Sequence, residues 1–158
     1  MRRTFATLCL LWFPGAAVAA DIQPVSGLWS GEVVFDSRTD CPVAIVVPLK
    51  SKVQGYSNHQ ITFPDLFDPT IFQNVEPPVA WQKTGHNVWE GVSSVTHKTG
   101  SGALTIASTS MMAIVTPDQI DQRTQVTVKF PPNLAQRAGI PATGCVLLWS
   151  VYHKRARR

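Results

Sequence analysis

Gln125-Val126-Thr127-Val128-Lys129-Phe130 decides the fold class. Val126, Val128 and Phe130 fall on one side of an extended chain, and Gln125, Thr127 and Lys129 fall on the other. That period of two is what a strand with one buried face requires. Working outward, Ala103 to Val115 reads as the preceding strand, separated by Gly100-Ser101-Gly102 from a run over Asn87 to Val95. That run pairs naturally with Val79 to Lys83 through Thr84-Gly85-His86, a short glycine-containing hairpin connection. On the C-terminal side, Cys145 to Tyr152 is the last strand. Asn133 to Ala138, with Pro131-Pro132 before it and Gly139 after it, is the one short helix expected.

Toward the N-terminus, Gly27 to Phe35 alternates, with Trp29, Gly31, Val33 and Phe35 on one face and Leu28, Ser30, Glu32 and Val34 on the other. Val43 to Val53 reads as a second strand on its β-branched content, bent or placed at an edge by Pro48. Gln60 to Phe63 makes a short third. About eight strands, and no helix long enough for a parallel crossover, predict an all-β, antiparallel, about eight-stranded barrel or barrel-like sandwich. Gly27-Leu28-Trp29, opening the first strand after a loose segment, resembles the first-strand signature of lipocalins and related small ligand-binding barrels. The resemblance covers those residues only and implies a tryptophan that plugs one end of a barrel. Trp29 reads equally as a core aromatic beside a strand glycine.

The ends of the chain read differently from its body. Met1-Arg2-Arg3, the apolar run Thr4 to Phe13 and Ala17-Val18-Ala19 fit a signal peptide over residues 1–20. The mature chain is then expected to be periplasmic or secreted, with no transmembrane segment after cleavage. Removal of the leader leaves Cys41 and Cys145 as the two thiols, and in an oxidising compartment they most simply form one disulfide. Closing a loop of that length is worth roughly 4–5 kcal/mol on the chain-entropy account. The formal charge of +4 resides at the termini. Without Arg2 and Arg3, and without the tail Lys154, Arg155, Arg157 and Arg158, a single domain over residues 21–153 holds eight basic against ten acidic residues. Nucleic-acid binding needs a basic, aromatic-interleaved stripe on the folded body, and the sequence has none.

Catalytic and metal signals are absent from the pattern. His59, His86, His97 and His153 share no metal-binding spacing. Ser57-Asn58-His59 with Asp65 offers triad components without a nucleophile elbow or a glycine-rich oxyanion loop. Glu32, Asp36, Asp40 and Glu90 are acidic residues at strand ends, usually solvated. No cofactor is implied. The unusual segment is Pro64 to Pro78, which holds Leu66, Phe67, Ile71, Phe72 and Val75. A loop this long and apolar is expected to be a lid, a contact surface or a flap completing the core. Trp29, Trp81 and Trp89 with Phe67 and Phe72 are therefore the candidate contacts for a ligand or partner. The function expected is a non-catalytic domain binding an apolar or amphipathic small molecule. The alternative is a protein-protein interaction or inhibitor module acting on an envelope protein.

Overall fold

The alternating runs assemble into one sheet. A computed structural model describes residues 20–38, 40–72 and 78–156, so residues 1–19 of the expected leader, Thr39, part of the apolar loop and the last two arginines lie outside the described residues. The strands are β1 (Gly27–Phe35), β2 (Tyr56–Ile61), β3 (Ala80–Gly85), β4 (Val88–Thr99), β5 (Gly102–Thr116), β6 (Gln119–Lys129) and β7 (Cys145–Arg155). Their order across the sheet is β2-β1-β7-β6-β5-β4-β3, and every neighbouring pair is antiparallel. β2 and β3 stand at opposite edges, so the sheet is not closed into a barrel. Among the described residues there are seven strands, where about eight were expected.

The missing strand is the Val43 to Val53 run, which forms helix α1 (Val43–Lys52). Pro42 stands at its N-cap in an extended conformation, and its carbonyl accepts from the amides of Ile45 and Val46 at 2.8 and 3.0 Å. Lys50 and Lys52 complement the carbonyl end. Ile45, Val46 and Leu49 pack inward while Val43, Ala44 and Val47 stay exposed. Because the outward side is as apolar as the inward side, no helical period is visible and β-branched content misleads. Tertiary contact overrides it. The disulfide Cys41–Cys145, with Cα atoms 4.8 Å apart, pins the residue before the helix N-cap to the start of β7.

Other boundaries moved less. Asn87, at φ 58°, makes the β3–β4 turn together with His86, one step beyond the expected Thr84-Gly85-His86. β6 begins at Gln119, directly after the two-residue turn Pro117-Asp118. β7 continues to Arg155, with Lys154 and Arg155 both paired to β1. Helix α2 (Pro132–Ala138) stands where it was expected, ending on Gly139 in the left-handed conformation at φ 66°.

The two faces of the sheet have different fates. Trp29, Trp89, Met112 and Ile120 face inward with Ile61, Phe63 and Ile114 to form a first core cluster. Val126, Val128 and Cys145 form a second with Cys41, Ala135 and Ile140, roofed by α1 and α2. Between them the inward row turns small and polar: Gly91 and Ser93 on β4, Ser108 and Ser110 on β5, Thr124 and Gln122 on β6. Ser93 and Ser108 hydroxyls bond at 2.7 Å, and those of Ser110 and Thr124 at 3.0 Å, which satisfies these groups under cover. Neither of the described helices covers the outward face.

Candidate functional site

The five expected contact residues do come together, in the first cluster. Trp29 has no exposed surface, and its indole N–H donates to the Val25 carbonyl at 3.1 Å. Phe63 meets Trp29 edge-on at 5.3 Å. Phe67 lies edge-on to Trp89 at 4.8 Å, and Phe72 lies 6.0 Å from Phe63. Trp81 packs against the same group, over Gly91, where a Cβ would come within 2.7 Å of its ring. The loop after β2 is tied down on the N-terminal segment. Ser26 Oγ accepts from the Phe63 amide at 2.9 Å, and the Gln23 side chain donates to the Pro64 carbonyl at 2.6 Å. A 3-10 turn, Pro69–Phe72, then carries Phe72 down onto the sheet. Phe67 and Phe72 are thus half-buried packing groups, while Leu66 at the loop tip is 84% exposed.

Beneath Phe72 lies a polar chain that sequence reasoning missed. The His153 ring sits 4.3 Å from the Phe72 ring and is only 3% exposed. Gln122 Oε1 can only accept, so His153 Nε2 carries the proton and donates to it at 3.3 Å. The unprotonated Nδ1 then accepts from the Tyr56 hydroxyl at 2.8 Å. Burial pushes the imidazole down to about 4 and the Tyr56 phenol up to about 12, so both groups are neutral near pH 7. Gln122 continues the chain to Thr124 Oγ1 at 3.4 Å. A signal for His153 was present: it shares the inward parity of Cys145, Leu147, Trp149 and Val151.

The outward face is the second unforeseen feature. Leu28, Val34, Val92 and Met111 are 46%, 45%, 57% and 47% exposed there. An open hollow of about 360 Å³ lies among Glu90, Val92, Met111, Arg123, Gln125 and Leu148. The Asp36 carboxylate, at the end of β1, is held by Arg38 and lies 3.8 Å from Arg123. The Arg38 guanidinium holds that carboxyl well below the usual carboxylate range.

Catalytic and metal-binding components stay apart. No hydrogen bond joins Ser57, His59 and Asp65 among the described residues, and His59 instead packs edge-on to Tyr56 at 5.9 Å. Among the described residues no group of three or more His, Cys, Asp or Glu could hold a metal ion. None of the described helices is long and apolar enough to cross a membrane. No family model, curated protein or solved structure matches the chain.

Proposed function

We propose that this protein is an exported, non-catalytic interaction module whose binding surface is the outward face of the sheet. One observation carries the reading: Val92 and Met111, large apolar side chains left about half exposed, line one hollow with Leu148 on a face that none of the described helices covers. An exposed apolar patch of this kind, rimmed by the charged Glu90 and Arg123, marks a partner site. A small-molecule carrier is the weaker reading. Such sites enclose most of their ligand's surface, whereas the hollow beside Met111 is open and the space under the Phe72 turn is packed with Phe63, Phe67 and Trp89. Export agrees with the Cys41–Cys145 bond, which persists in oxidising compartments.

A photo-reactive amino acid placed at Met111 and activated in expressing cells tests this. A discrete adduct of higher mass is expected from Met111 and not from Gly100, an exposed turn position with open space around it. Absence of any adduct at Met111 would remove the proposal.

A further inference from the structure

The charges on the outward face are ordered in a way that suits a second copy of the same face. Glu90 pairs with Met111, and Met111 pairs with Arg123, so the three lie in one row across β4, β5 and β6. Adjacent strands are about 5 Å apart, which puts the acid and the base equally far from the methionine on opposite sides. Glu90 makes no ion pair among the described residues, and the carboxylate nearest Arg123 is already held by Arg38.

We propose that the protein forms a symmetric dimer through this face, about a two-fold axis parallel to the strands and passing over Met111. The proposal rests on the outward face being the binding surface. Rotation about that axis keeps each row at its height and exchanges β4 with β6. Each Glu90 then faces the other copy's Arg123, the self-complementarity an isologous contact demands. The neighbouring rows agree. Val88 faces Asp121, Val92 faces Gln125, Ser94 faces Thr127 and Thr96 faces Lys129, so no row sets like charges against each other. Packed sheets cross at about 30°, which at one strand spacing from the axis displaces a facing residue by about 2.5 Å, less than one residue's rise.

Size and shape are adequate. β4, β5 and β6, each of eleven or more residues, with the six-residue β3 and the part of β7 that faces it, present roughly 700 Å², near the roughly 800 Å² per partner of a standard interface. Met111 then meets its own counterpart across the axis, beside the hollow, and as an unbranched side chain it adapts to irregular gaps.

Light-scattering mass of the purified full chain, measured over a concentration series, tests the inference. Wild type should show twice the chain mass. Glu90→Arg and Arg123→Glu should each weaken association about a hundredfold, because each sets like charges opposite. The double swap Glu90→Arg/Arg123→Glu should recover pairing to within about tenfold of wild type. Unchanged far-ultraviolet circular dichroism in all three would confirm that the fold is intact, while the melting temperature of the single variants should fall with the lost association. A wild-type monomer at roughly 100 µM, or a double swap as weak as the singles, overturns the dimer. If Met111 then still gives adducts with other proteins only, the interaction-module reading survives without the dimer. If it gives none, both fall.

Discussion

The two ends of the inward face solve the same problem by different means. The first cluster is closed by side chains alone: Trp29, Phe63, Phe67, Phe72 and Trp89 arrive from β1, β4 and the loop after β2, with a hydrogen-bonded histidine beneath. The second has smaller residues, with Val126 and Val128 from the sheet meeting Ala135 of α2 and Ile140 beside the two short helices, and it adds a covalent bond across 104 positions of sequence. Large aromatic rings bury enough area to hold a loop in place. A ten-residue helix with no buried residue cannot, and the disulfide supplies what its packing lacks. The ends should therefore respond to different insults.

Removing the bond gives the largest expected effect. Cys41→Ala/Cys145→Ala should cost roughly 4–5 kcal/mol in denaturant unfolding, with hydrogen exchange rising first in α1 and only later near Trp29. Equal loosening at both ends would erase the contrast. Trp29→Ala comes next, at about 3–5 kcal/mol, and here exchange should rise first around Phe63 and Phe72 while α1 stays protected.

Acid sharpens the comparison further. Burial holds His153 at about 4, below the ordinary histidine value of 6.5. Above pH 6.5 both folded and unfolded chains are neutral at this group, and its contribution is fully present. As pH falls through 6.5 the unfolded chain takes up the proton and the folded chain does not, so stability declines until the folded histidine protonates near 4. The total loss is about 3 kcal/mol. Denaturant midpoints of wild type and His153→Gln, taken from pH 7 to 4.5, should converge as the pH drops. Parallel curves would mean that the histidine is not the acid-labile element.

Legibility followed the range of the interactions. The alternation in Gln125–Phe130 and the Cys41–Cys145 pairing were readable because a strand's period and a two-thiol count are local facts. So was α2, bracketed by Pro131-Pro132 and Gly139. The aromatic residues expected to contact a ligand or partner pack in one cluster, but whether such a set meets around a ligand or around itself depends on distances that no sequence states. The outward row Glu90–Met111–Arg123 was invisible, because it exists only once the registers of β4, β5 and β6 are known. Val43–Val53 was misread because its two sides are equally apolar.

By itself the sequence determined that the chain forms antiparallel strands with one buried face, since side-chain alternation and backbone hydrogen bonding leave few other outcomes for such runs. The tertiary structure decided that the sheet stays open, that a β-branched run coils against it beside the disulfide, and that both described helices pack on the same face. Those outcomes depend on contacts between residues far apart in the chain, such as Cys41 with Cys145 and Tyr56 with His153, whose energies outweigh local preference.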